Sequence, residues 1–215
     1  MATSSCSNTI LKSLEWCQGQ TSLPGLRRRA AICLKSDIAA YPVLTNRSGN
    51  GLQGILKGEF KLLADRQWKI IDFLPDKSTA TVETQGEAPS QTFLCKLSLL
   101  HPSVSRAASE VAAMLLNNDC VIVFQDMNGI LRVAGNNIWP TKVTVAQDYG
   151  QGPTGAVSTT FNIEVTDQIP FPIYSQTLET EFGPIAPEGA SQYETADSDP
   201  GFPDPSPSSQ DYTLK

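Results

Sequence analysis

The sequence predicts a mainly β fold, an antiparallel β-sandwich or barrel with one flanking α-helix over about residues 103–117. Three observations carry this reading. Several segments alternate apolar and polar residues with a period of two, the pattern of a strand with one buried face. Fifteen glycines and fifteen prolines in 215 residues favour turns and short strands over long helices. Only one stretch, after Pro102, carries a helical apolar stripe. With 40% apolar and 18% charged residues the chain can build a core, which excludes wholesale disorder.

Taken in order, residues 1–26 are polar and read as an N-terminal arm, with a short helix at residues 10–17 that Leu14 and Trp16 could dock. The domain proper is expected over 27–175. Arg29-Ala30-Ala31-Ile32-Cys33-Leu34 reads as its first strand. Ser36-Asp37 offers capping oxygens for one helical turn through Tyr41, which Pro42 stops. Ser48-Gly49-Asn50-Gly51 is a turn. Residues 54–63 and 68–74 read as adjacent strands joined at Asp65-Arg66, followed by alternating strands at Thr79–Gln85 and residues 92–100. Ser103 is the expected helix cap, with Val104, Ala107, Ala108, Val111, Ala112 and Leu115 on one stripe and Asn117-Asn118-Asp119 as the stop. Strands at 119–125 and 130–134 flank Asp126-Met127-Asn128-Gly129, and Asn-Gly is the strongest short hairpin signal. Residues 142–146 and 158–166 alternate again around a glycine-rich connection at 150–155. Ile169-Pro170-Phe171-Pro172 closes the domain, because such prolines do not fit a central strand. Residues 176–215 form an acidic Pro/Ser-rich tail, expected to be disordered or docked on a partner through Phe182, Ile185, Tyr193, Phe202 or Tyr212. Truncation after Tyr174 is then expected to leave the fold intact.

The net charge of −6 is uneven: residues 176–215 carry −7, which leaves +1 on residues 1–175. That body lacks the basic excess of a protein that grips nucleic acid through phosphates. No apolar stretch approaches ~18 residues, so no membrane span is expected, and no secretory leader is visible. Cys6, Cys17, Cys33, Cys95 and Cys120 are odd in number and contain no C-x-x-C. The last three lie in apolar runs and read as core thiols in a reducing compartment, the cytoplasm of the producing cell.

Catalytic patterns are missing: there is no G-x-S-x-G, P-loop, G-x-G-x-x-G or H-E-x-x-H. Gly49-Asn50-Gly51 and Gly150-Gln151-Gly152 read as loops, since neither joins a strand to a helix. Asp65, Asp72 and Asp76 read as solvated strand-end acids. Glu83 and Glu87 could serve a paired-carboxylate hydrolase, but a charged turn is the simpler reading. His101, the single histidine, reads as leading into the helix. Arg27, Arg28 and Arg29 lack the interleaved aromatics of a nucleic-acid surface and read as capping an edge strand or meeting acids of a neighbouring subunit. No enzyme activity, cofactor or metal is expected.

The order of these motifs resembles a known family. Lys35-Ser36-Asp37-Ile38 with Tyr41-Pro42, Gly58-Glu59-Phe60-Lys61-Leu62 leading to Trp68-Lys69, and Thr84-Gln85-Gly86-Glu87 with Thr92-Phe93 come first. Asn117-Asn118-Asp119, Asn128-Gly129, Arg132-Val133, Gly135-Asn136 and Thr166-Asp167 follow before the proline-rich close. Over roughly residues 20–175 the chain is similar to the tail-tube-like (major tail) virion proteins of bacteriophages and prophages of Bacteroidetes hosts. The tail of the last forty residues departs from the compact ending of that family. The resemblance implies a sandwich or barrel assembled as stacked hexameric rings in a phage tail. Genomic DNA would pass through without sequence-specific binding, beside other tail proteins and away from membranes. The candidate inter-subunit contacts are Arg27, Arg28, Arg29, Glu83, Glu87 and Trp68, with residues 1–26, 47–53 and 150–155 as stacking arms or loops. Two readings stand beside it. One is a tail terminator or head-decoration protein; the other is a monomeric carbohydrate- or surface-binding sandwich using Trp16, Trp68 and Trp139 as stacking platforms.

Overall fold

The computed structural model describes residues 13–14, 16–47 and 51–188. In chain order the strands are β1 (Leu26–Leu34), β2 (Ile38–Ala40), β3 (Val43–Arg47), β4 (Gly51–Lys57), β5 (Lys61–Leu62), β6 (Lys69–Asp72), β7 (Thr79–Gln85) and β8 (Thr92–His101). Helix α1 (Arg106–Leu115) follows, then β9 (Cys120–Asp126), β10 (Leu131–Ala134), β11 (Thr141–Asp148), β12 (Ser158–Asp167), β13 (Ile173–Tyr174), β14 (Leu178–Thr180) and β15 (Gly183–Ile185). A seven-stranded sheet runs β3-β4-β13-β10-β9-β1-β6, and a four-stranded sheet runs β11-β12-β8-β7. Two ribbons, β2-β5 and β14-β15, complete the described fold. This is the mainly β sandwich with a flanking helix that the alternation predicts.

The large sheet is covered on both faces, where the sequence suggests one. Its first face, with Ala30 and Ile32 of β1 and Cys120, Ile122 and Phe124 of β9, packs on Cys95, Leu97, Leu99, Phe161, Ile163 and Val165 of the four-stranded sheet. Its second face, with Ala31, Cys33, Val121, Val123 and Val133, packs under Trp68, Tyr174, Leu178 and the ribbon residues Ile38 and Leu62. A strand buried on both sides has no polar face to alternate with. That is why Cys120-Val121-Ile122-Val123-Phe124 is an unbroken apolar run, buried throughout.

Several local expectations are corrected by the pairing. The segments 54–63 and 68–74 are not neighbours: β4 pairs with β3, β5 with β2 and β6 with β1. Gly58, at φ +94°, turns the chain out of β4 after Lys57. The helical turn after β1 is confined to Lys35–Asp37, and residues 38–40 are extended. The helix cap is Ser105 rather than Ser103: its Oγ accepts from the Ala108 amide at 3.2 Å. Ala107 is therefore exposed, and the buried line runs Ala108, Val111, Ala112, Leu115. The chain does not close at Pro172, because β13 inserts between β10 and β4, parallel to β4.

The packed body also runs past residue 175. Leu178 is 2% exposed, Thr180 bridges to Trp68, and the Glu188 amide donates to the Gly129 carbonyl at 3.0 Å. Residues 176–188 are thus part of the fold, and Tyr193, Phe202 and Tyr212 lie outside the described residues, as does most of the 48–51 turn. Half of the helix expected at 10–17 falls outside them too, and residues 13, 14, 16 and 17 are not helical; Leu14 and Trp16 are exposed, so neither docks on the body.

Candidate assembly surfaces

Arg27, Arg28 and Arg29 lie in the first half of β1, which pairs with β6 from Arg29 onward. The guanidinium of Arg27 forms a bidentate pair with Glu188, raising its own pKa and lowering that of the Glu188 carboxyl. Arg29 Nε donates to Asp72 Oδ1 at 3.0 Å across the β1-β6 ladder. Two of the three arginines therefore meet acids of their own chain. Arg28 is exposed and lines a groove of about 480 Å³ with Asp72, Gln125 and Ile185. The side chain of Gln125 donates to the Gly129 and Ala186 carbonyls at 2.8 and 3.3 Å, tying the β9-β10 turn to the C-terminal ribbon.

Trp68 is no surface contact within this fold. It is 2% exposed, its ring meets Phe60 edge-on with centroids 5.3 Å apart, and it anchors the second core. It offers no open face for stacking a sugar. Trp139 is half-buried, with its carbonyl accepting from Lys35 Nζ at 2.6 Å. Glu87 is exposed in the turn after β7, and its carbonyl accepts from the Ser90 amide at 2.8 Å. Glu83 sits apart from the arginines, on the outer face of the four-stranded sheet.

That outer face is built by strict alternation. In β12 every second residue from Phe161 to Val165 points into the core, which leaves Thr160, Asn162, Glu164 and Thr166 outward. The neighbours in register are Lys142 and Thr144 on β11, Lys96 and Ser98 on β8, and Thr81 beside Glu83 on β7. Ser98 Oγ donates to Asn162 at 2.7 Å, and Gln85 Nε2 donates to Thr166 Oγ1 at 2.8 Å. Charges alternate across the strands: Lys142 Nζ lies 3.3 Å from Glu164, and Lys96 Nζ lies 2.6 Å from Glu83. The hydrogen bond to Glu83, with the Glu164 charge on the other side, raises the Lys96 pKa. Lys96 and Lys142 do not stand out in the sequence, because alternation marks a face without saying which strands share it.

Both outer strands of this sheet are open. Among the described residues β7 pairs only with β8, and β11 only with β12. Beneath β7 the two sheets part, leaving a groove of about 460 Å³ lined by Leu26, Ala80, Val82, Phe124 and Phe171. The large sheet differs at its β6 end: the Glu181 amide donates to the Trp68 carbonyl at 3.3 Å, and Glu181 pairs with Lys69, so the C-terminal ribbon covers that border.

The thiols of Cys33, Cys95 and Cys120 are buried, and Cys17 is exposed. Burial pushes Cys33 up to about 11 and Cys120 up to about 12, so both stay protonated and poorly nucleophilic. His101 ends β8, with Nδ1 2.7 Å from the Asp72 carbonyl oxygen. Among the described residues no group of three or more His, Cys, Asp or Glu side chains is placed to hold a metal ion, and no helix is long and apolar enough to cross a membrane. Compared with known proteins, the chain matches no family model, no curated protein and no solved structure.

Proposed function

We propose that the chain is a structural virion subunit of a tailed bacteriophage, the tail tube protein, which self-assembles by joining the borders of its four-stranded sheet. The carrying observation is that β7 and β11 are both open among the described residues and run in opposite directions, because two strands, β12 and β8, lie between them and each neighbour is antiparallel. A second copy that sets its β11 beside β7 keeps the alternation of the whole sheet. Such a head-to-tail contact uses two different surfaces and closes into a ring when the rotation allows. Open borders are otherwise a hazard that proteins blunt or cover. Six copies per ring, stacking of rings and passage of DNA are taken from the family resemblance, as is a place in the virion. The mixed-charge outer face, with lysines and glutamates interleaved, fits a wall that DNA slides along, since it neutralises few phosphates.

Electron microscopy and light scattering of the purified full chain at rising concentration test this reading. Rings or tubes are expected without any added ligand. A chain that stays a monomer throughout would overturn the proposal, and rings that never stack would point to a tail terminator or head-decoration protein.

A further inference from the structure

Resting on that reading, we infer that copies join in one register, with Glu83 of β7 opposite Lys142 on β11 of the next copy. The inference comes from reading both faces of the two open strands. On the outer face Lys142, Glu164 and Lys96 lie in register and Glu83 reaches Lys96 diagonally from two residues along β7, past Thr81, so the sheet carries a lysine at its β11 border and a glutamate at its β7 border. Placing copies side by side continues the same alternation of sign across the junction. On the inner face the border strands carry Ala80 and Val82 at one side and Val143 and Val145 at the other. All four are only half-buried although they pack against the first core.

An antiparallel register that sets Glu83 against Lys142 also sets Val82 against Val143 and Ala80 against Val145. A slip of one residue would turn one strand's apolar face outward. A slip of two, in either direction, leaves only one apolar pair and takes Lys142 out of its place opposite Glu83. The apolar pattern selects this alignment, and the same alignment brings Glu83 directly opposite Lys142. Cross-strand pairs of opposite charge stabilise sheets and like charges oppose them, so this pair works as a register key as well as an attraction.

The test uses two full-length variants, Glu83→Lys and Lys142→Glu. Each alone faces a like charge at every junction, and each is expected to raise the half-assembly concentration by about tenfold or more, summed over the junctions of a ring. Mixed in equal amounts, the variants can alternate around a ring. At one kind of junction the lysine introduced on β7 of the first variant then faces the glutamate introduced on β11 of the second. At the other kind the unchanged Glu83 of the second faces the unchanged Lys142 of the first. Every junction is complementary, and an even-membered ring closes. Assembly should return to within about threefold of the unmodified chain. Circular dichroism melts check that each variant is folded, and Glu83→Gln and Lys142→Gln give smaller shifts in the same direction without introducing repulsion. Each reversal also sets a like charge beside Lys96 or Glu164 of its own sheet, so the melts of the two variants are compared with the parent's. Single variants, charge-reversed and Gln alike, that assemble like the parent, or a mixture that does not recover although both variants melt as the parent does, would overturn the register while leaving the ring reading standing. A parent chain that never assembles in this assay overturns both.

Discussion

Cys120 begins β9 at the centre of the large sheet, with no measurable exposure, and burial pushes its thiol up to about 12. Cys33, on the neighbouring strand, is held up at about 11. A thiol whose folded pKa exceeds its unfolded value adds stability below the unfolded pKa, and this is lost as pH rises through the folded one. Above about pH 9 the unfolded chain has released these protons while the folded chain keeps them. Stability should then fall by about 1.4 kcal/mol per pH unit for each thiol, up to roughly pH 11 for Cys33 and pH 12 for Cys120. Urea midpoints measured from pH 8 to 11 under reducing conditions check this, with Cys120→Ala expected to flatten the alkaline slope. The core role of Cys33, Cys95 and Cys120 is legible in the sequence because each sits in an apolar run. For Trp68 the alternation of its segment leaves core and interface both open, and its partners Phe60, Tyr174 and Leu178, the last two distant in sequence, make it core.

At the scale of elements, a period of two tells which residues share a face but is silent about which strand lies alongside. Thr79–Gln85 is therefore legible to its ends, while the pairing of 54–63 with 68–74 fails, since the partner of β4 is β3 and that of β6 is β1. The β9-β10 hairpin is legible from Asn128-Gly129 alone: Gly129 takes φ +87°, and a Cβ there would lie 2.6 Å from Glu188 Cβ. Composition misplaces the C-terminal boundary, because Leu178, Thr180 and Glu188 are few among prolines and acids yet each finds a specific partner. Truncation after Tyr174 should accordingly lower stability by about 2 kcal/mol or more, the transfer cost of Leu178 plus newly exposed Trp68. Urea unfolding against a chain ending at Glu188 measures it, and equal midpoints would show the ribbon to be dispensable. Of the proposed assembly surface, Glu83 is marked by its charge, whereas Lys142 becomes its proposed counterpart only once both borders of one sheet are placed.

For the whole molecule, the two cores share β1, β9 and β10, so neither layer can dissolve while the other keeps its packing. Trp68→Ala in the second core and Phe161→Ala in the first should each cost about 3–5 kcal/mol. Both should leave a single transition, with fluorescence and far-ultraviolet circular dichroism midpoints coinciding. Two separated transitions would mean that the layers unfold independently. The parallel strand β13 has a consequence in time. Among the described residues the β3-β4 hairpin pairs with the rest of the large sheet only through Ile173 and Tyr174, and Ile55 pairs with Ile173, 118 positions later. At a synthesis rate of roughly 5–20 residues per second, the ribosome holds that hairpin waiting for roughly 6–24 seconds. Through that interval the nascent chain carries two strands that make a marginal hairpin at best, because the seat that would dock them has yet to be translated.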